Sequence, residues 1–488
     1  MTNLQRATLS GSFWVAISVL FAAVVQLAQL ASVARVLEPT QVGVVAASLV
    51  ILALADTIAN MGIANSIIQR QNASRDELSS LYWLNVLVGI VIAVALYVSA
   101  PLFEWFFRMP ELTALVHVIA LGFIFSPHGQ VPRGILERRM AFRSVAVIEM
   151  VGAATILAAT LVLLFLGAGP VAVAAAYAFS VSLKALLFVY ASRREFFPRF
   201  HFRLVETTRF LSFGLITSLD MIVSFFAANI GSFAVGRLVS PTALGGYNLA
   251  FTYAVNTPAR LNGVVTRVAF PAMSQIQSDR SRQARAIRRV IETVTIVNAP
   301  LLVTLAIVAL PFTEVFFGPN WLWVAALIQV LSGVGLTRAM GNPMGAILMA
   351  LNRMGVGLIV NVIKSSVHIA VVIFGAIWGG VFGAAWAAVI MGVVTLATNV
   401  VLLKTLAGIP ARTGILDHVR PLLYSIPLAI VGVGMMWVTS WLGMIPLVTL
   451  IVVCAACGVT YLCTLMVTRH FLVQTLTAFL RPSSGSSV

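Results

Sequence analysis

The sequence predicts an all-α polytopic membrane protein of about fourteen transmembrane helices, and three observations predict it. Hydrophobic residues make up 60% of the 488 residues and charged residues only 9%, a balance that cannot fold in water without exposing apolar surface. Apolar runs of about 20 residues, each long enough to cross a hydrocarbon core of roughly 30 Å, recur along the whole chain. Between them the basic residues follow an alternating pattern.

The runs occupy 12–34, 42–67, 81–103, 112–126, 145–166, 170–190, 210–233, 244–270, 290–310, 322–345, 355–377, 380–403, 421–441 and 444–468. Arg6 precedes the first run, which is too long for a signal h-region and has no small-x-small cleavage site after it, so it is expected to stay as a helix. The fourth run is short and is followed closely by Pro127 and Pro132, which predicts an irregular exit. Pro258 in the eighth removes a backbone donor and predicts a kink. Cys454, Cys457 and Cys463 all lie in the last run, and one C-x-x-C with no second pair reads as packing rather than metal or redox chemistry. No metal or cofactor is expected; a proton or sodium gradient is left open.

A net charge of +16 would suggest nucleic acid for a soluble protein, so the placement of the charge decides. With the N-terminus inside, about 25 of the 31 Lys and Arg fall on inner loops, about three on outer loops and about three within spans. Both termini are therefore expected in the cytoplasm. The densest basic stretch, Arg280 to Arg289, reads first as a helix lying on anionic lipid, with a nucleic-acid or protein partner as the alternative. The longest inner connections, near 191–209 and 271–289, leave no room for an extramembranous catalytic domain.

Arg35-Val-Leu-Glu-Pro-Thr-Gln-Val-Gly43 returns as Arg237-Leu-Val-Ser-Pro-Thr-Ala-Leu-Gly245, both R-x-x-x-P-T-x-x-G. Pro101-Leu-Phe-Glu-Trp-Phe-Phe107 is echoed by Pro311-Phe-Thr-Glu-Val-Phe-Phe317, and Asn60 by Asn262. Six spans separate the copies, so both halves enter the membrane in one orientation, and a pseudo-twofold along the membrane normal is expected. The expected units are a six-helix bundle over 1–200, its repeat over 201–410, and two further helices with a short cytoplasmic tail over 411–488. Arg35 and Arg237 each close a helix at the outer face, where the dipole is negative. They read as structural outer-gate residues; contact with an exiting anionic group is the alternative.

Polar residues inside the spans mark a pathway between repeats. In the eleventh span Asn361, Lys364, Ser365 and His368 share one helical face, with Lys364 about nine residues, roughly 14 Å, into the span. A lysine there costs at least about 2.5 kcal/mol unless water or an anion meets it. In the eighth, Tyr253, Asn256, Arg260 and Arg267 follow the same spacing, and Arg260 offers a planar fork to a phosphate. The seventh gives Thr217, Asp220 and Ser224, and the second Asp56 and Asn60. Asp220 either carries an ion or pairs with Arg260; Asp56 reads as a structural or gating ion pair, with ion coupling as the alternative. His368 reads first as an interhelical donor and second as a proton relay, Glu149 and Lys184 as snorkelling residues near span ends, and Gln26 and Gln29 as interhelical glue. No nucleotide-binding, zinc-protease or serine-hydrolase motif is present in the sequence.

Laid out in this way, Ala34–Gly43, Ile67-Ile-Gln-Arg70, Tyr82-Trp-Leu-Asn85, Leu136-Glu-Arg-Arg-Met-Ala-Phe-Arg143, Gly236-Arg237, Leu244-Gly-Gly-Tyr-Asn-Leu-Ala250 and Phe270-Pro-Ala272 carry a resemblance. The chain resembles the polysaccharide-exporting flippases of the multidrug/oligosaccharidyl-lipid/polysaccharide superfamily, in the Wzx-type branch of colanic-acid and teichuronic-acid exporters. That resemblance implies a V-shaped pair of six-helix bundles working by alternating access on an undecaprenyl-pyrophosphate-linked oligosaccharide. It also implies polymerase and co-polymerase proteins as partners, for a chain expected to act as a monomer. Glu38 departs from the family's frequent Leu-Gly at the outer turn. Competing readings are a peptidoglycan-precursor flippase, which charge does not exclude, and a cation-coupled drug exporter, which needs an acid-dominated interior. A membrane polymerase or ligase would be expected to present a large outer catalytic loop. Lys364 and Arg260 are where the head-group phosphates are expected, with Asn256, Asn361, Ser365 and Tyr253 around them and Asp220, Asp56 and His368 in coupling or gating.

Overall fold

Hydrocarbon leaves a backbone no water to bond, so each span has to close its own ladder as a helix. The computed structural model describes residues 3–59, 73–259, 280–351 and 353–468, and among them every regular element is helical. In chain order these are α1 (Asn3–Val36), α2 (Pro39–Ala59), α3 (Arg75–Phe107), α4 (Leu112–Phe125), α5 (Pro127–Arg138), α6 (Phe142–Phe165), α7 (Val171–Ser192), α8 (Leu204–Leu238) and α9 (Pro241–Phe251). After α9 a π-helical turn (Thr252–Asn256) follows, then α10 (Arg280–Ile307), α11 (Ala309–Phe316), α12 (Val324–Gly341), α13 (Met344–Ala350), α14 (Met354–Ala407), α15 (Ala411–Leu423), α16 (Ile426–Trp441) and α17 (Pro446–Val467).

Eleven of the described helices or helix pairs are long and apolar enough to span a bilayer, and twelve if the bent pair α4–α5 is one span. The 54-residue α14 turns at Gly379-Gly380, where Gly380 has φ 57° and ψ −141°, a conformation open to glycine alone. Its two arms cover the eleventh and twelfth apolar runs. The eighth run is described only as far as residue 259. Within the described residues, each of the fourteen runs has a helical counterpart.

Each break has a local cause. At Ser126 the chain bends by 46°, where Pro127 has no N–H to give to the carbonyl one turn back; Asn85 Nδ2 donates to the Pro127 carbonyl at 3.0 Å, which ties the start of α5 to α3. The π turn lies just before Pro258, and the Thr257 N–H reaches back to Thr252 O. Ser74 and Glu77 form a capping box at the start of α3, with bonds of 3.1 and 2.8 Å.

The helices fall into two compact units, Met1–Leu249 with Leu358–Ala387, and Ala250–Gly357 with Ala388–Val488. In the first, α1 packs on α6, α6 on α7, α3 on α4, and α2 and α3 on α8. Leu81, Leu112, Leu115, Val116, Phe123 and Val131 are wholly buried there. In the second, α10 packs on α12 and α15, and α16 on α17, around Trp321, Val324 and Leu331. Cys457 is buried in this second core, while Cys454 and Cys463 are exposed; all three are free thiols. Gln29 Nε2 donates to Thr160 Oγ1 of α6 at 2.8 Å, interhelical glue as expected.

Within the first unit the two copies of the nine-residue motif meet. Gly43 of the first copy lies so close to the Pro241 carbonyl of the second that a Cβ would overlap it. Arg237 lies over the rings of Trp105 and Phe106, 5.4 and 5.9 Å from their centroids, so the second copy also touches the echoed segment of the first half. Gly43→Ala is expected to cost about 1–3 kcal/mol by overpacking against an immovable carbonyl. A lower unfolding midpoint of the purified protein checks this; an unchanged midpoint would show that the two segments yield freely.

Candidate functional site

The first arm of α14 carries the polar stripe as one unbroken helix up to the turn at Gly379. Asn361 Nδ2 donates to Ser224 Oγ of α8 at 3.3 Å, so these two residues of the seventh and eleventh spans come together in the first unit. One turn further, Ser365 is buried, while Lys364 and His368 are half-buried. Ile359, Ile363 and Val367 are exposed, as lipid-facing residues are. Lys364 is absent from the described ion pairs. The stripe therefore presents an ammonium, an amide, a hydroxyl and an imidazole along an otherwise apolar helix, a set suited to an anionic, hydroxyl-rich group.

A second polar cluster lies among α2, α5, α6 and α7, around a cavity of about 210 Å³ lined by Asp56, Gln130, Arg133, Glu149, Tyr177 and Lys184 among others. Glu149 is shared between two cations: Oε1 accepts from Arg133 at 2.9 Å and Oε2 from Lys184 at 3.3 Å. Arg133 also pairs with Glu137 at 2.9 Å. Asp56 Oδ1 accepts a long bond from Tyr177 Oη at 3.4 Å. Glu149 and Lys184, expected to snorkel near span ends, are instead partly buried and paired with each other beside the cavity. Sequence reasoning missed this cluster because its partners are 16 and 35 residues apart on different helices. The available signal was an acid and a lysine at similar depth in consecutive antiparallel spans.

The remaining expected residues are spread. Tyr253 is buried in the second unit with its ring against Phe312 and Phe317, at 5.0 and 5.3 Å, and Asn256 is exposed at the end of the π turn. Arg35 is exposed at the end of α1. Arg260, Arg267, Asn60 and Asn262 lie outside the described residues, as do the side chains of Thr217 and Asp220. Among the described residues no three His, Cys, Asp or Glu side chains form a metal-holding group.

Residues 32–326 match the family described as polysaccharide biosynthesis protein. The chain is 34% identical over 433 residues to the Escherichia coli (strain K12) lipopolysaccharide biosynthesis protein WzxC, across 88% of each chain. It is 29% identical over 353 residues to the Bacillus subtilis (strain 168) teichuronic acid biosynthesis protein TuaB, across 72% of this chain and 73% of that one. Among solved structures, the lipid II flippase MurJ in an inward closed conformation matches with a TM-score of 0.71 at 16% identity, over 94% of this chain and 99% of that chain. An inward-facing MATE family multidrug resistance transporter of the MOP superfamily matches with a TM-score of 0.62 at 15% identity, over 82% and 94%. At these identities the two structures show a shared fold.

Glu149→Gln should destabilise the protein by about 1–3 kcal/mol, between the exposed and buried limits for ion pairs, because it leaves Arg133 and Lys184 without their shared acid. Adding Lys184→Met should recover part of that loss in thermal unfolding. Strictly additive losses would show that the three groups are not coupled.

Proposed function

The chain belongs to the polysaccharide biosynthesis protein family, and from that membership we propose that it flips an undecaprenyl-pyrophosphate-linked oligosaccharide across the bacterial inner membrane. The protein is a transporter and not an enzyme. It carries the repeat unit from the cytoplasmic to the periplasmic leaflet by alternating access, with both termini cytoplasmic, and supplies exopolysaccharide, capsule or O-antigen assembly. One observation carries the reading: a half-buried lysine midway along an apolar helix, in a chain whose relatives are named for polysaccharide assembly.

The physics is that of an anion in hydrocarbon. A pyrophosphate cannot enter a medium of low dielectric without counter-charge, whereas the lipid tail can stay in the bilayer throughout. Lys364 supplies that charge, and Asn361 and Ser365 beside it supply donors for phosphate or sugar oxygens. Arg260 provides a second, bidentate contact, with Asn256 and Tyr253 on its spacing. An ion gradient or the membrane potential drives the cycle; Asp220, Asp56 and His368 are the groups that could carry the coupled charge.

Deleting the gene should abolish exported polymer while growth continues; lost viability would instead favour the peptidoglycan precursor as cargo. Lys364→Ala and Arg260→Ala should each weaken head-group binding about ten-fold or more, since each removes a charge-assisted bond where water is scarce. Lys364→Arg should be better tolerated, and Arg260→Lys should recover only part of the loss. If Arg260 merely neutralises Asp220, the double variant Arg260→Ala with Asp220→Ala should restore export per unit of inserted protein, and Arg260 would leave the substrate site.

A further inference from the structure

The connection between α7 and α8 is unlike an ordinary polar loop. Residues 195–204 read Glu-Phe-Phe-Pro-Arg-Phe-His-Phe-Arg-Leu, four phenylalanines in ten positions, interleaved with arginines. Only Phe196 goes inward, into a cluster with Leu78, Leu81, Tyr82, Val131 and Ile135. Phe197 is 70% exposed, Phe200 98% and Phe202 44%. Phe200 lies offset from the Trp83 ring at 5.3 Å, too open a stack to cover it.

This exposure is held in place. Trp83 Nε1 donates to Arg199 O at 2.8 Å, Arg199 N to Ser79 Oγ at 3.2 Å and Arg203 N to Ser80 Oγ at 3.1 Å, which fix the segment along the first turns of α3. Arg139 Nη1 donates to Glu195 Oε1 at 2.8 Å and ties its other end to the α5–α6 corner. A segment strapped at both ends yet presenting three aromatic rings is built to show them to something.

We propose that residues 193–204 are a lipid anchor: Phe197, Phe200 and Phe202 enter the boundary between head groups and acyl chains, while Arg194, Arg199 and Arg203 take the phosphates of an anionic inner leaflet. The strap follows directly on one membrane span, Val171–Ser192, and leads into α8, which carries another, Met221–Leu238, so it leaves the bilayer at residue 192. Aromatic rings favour that layer, and each arginine near an anionic surface contributes about 1 kcal/mol, roughly five-fold in local partitioning. Through its bonds to Ser79 and Ser80 the anchor fixes the start of α3 to the leaflet.

The inner face for this segment rests on the topology proposed above, and the test separates the two. In a background of Cys454→Ala, Cys457→Ala and Cys463→Ala, a nitroxide is attached at Phe200→Cys, at Phe197→Cys and, as an aqueous control, at the exposed Arg75→Cys. In phosphatidylglycerol-containing liposomes the labels at 200 and 197 should collide several-fold more with oxygen than with a water-soluble nickel chelate, and the label at 75 the reverse. Nickel preference at both 200 and 197 would overturn the anchor and leave the patch for a soluble protein partner. Arg194→Gln, Arg199→Gln and Arg203→Gln together should remove the deeper immersion seen in anionic over zwitterionic lipid; an unchanged difference would overturn the arginines' part. An immersed label at 200 whose cysteine is reached from outside intact cells by an impermeant maleimide would keep the anchor and overturn the inner-face topology instead.

Discussion

A polypeptide inside hydrocarbon has no solvent to complete its hydrogen bonds, and this constraint organises the structure. It makes each span a helix. The bend at Ser126 falls where Pro127 has no N–H to give, with Asn85 bonded to the Pro127 carbonyl, and the π turn at Thr252–Asn256 lies just before Pro258. The reversal inside α14 falls at the one Gly-Gly pair able to adopt it. The irregular points are therefore placed by proline and glycine.

Charge obeys the same constraint more severely. In the first unit, Arg133, Lys184 and Glu149 satisfy one another around a small cavity, so three charges that would each be costly alone form a compact group. The stripe on α14 is different, because its amide is answered by Ser224 while its lysine stands outside the described ion pairs. A compensated cluster stiffens a bundle, and both arrangements lie within one unit.

Most of the fold was legible in the sequence because hydropathy and loop charge are one-dimensional signals. The short fourth run with its two prolines predicted the bent pair, and Gln29 the interhelical bond to Thr160. Tertiary pairing was not legible in the same way. Glu149 and Lys184 carry no helical-spacing signal for each other, and nothing in either copy of the motif announces that Gly43 will lie against Pro241. The stripe of Asn361, Lys364, Ser365 and His368 could be read from periodicity alone, while its partner Ser224 needed the packing of α14 on α8.

The contact between Gly43 and Pro241 has an evolutionary consequence. Duplication usually relaxes selection, since one copy can keep a role while the other drifts. Here each copy supplies the surface on which the other rests, so a side chain gained at position 43 has to be matched by a backbone shift at position 241. Positions 43 and 241 are therefore bound to change in step.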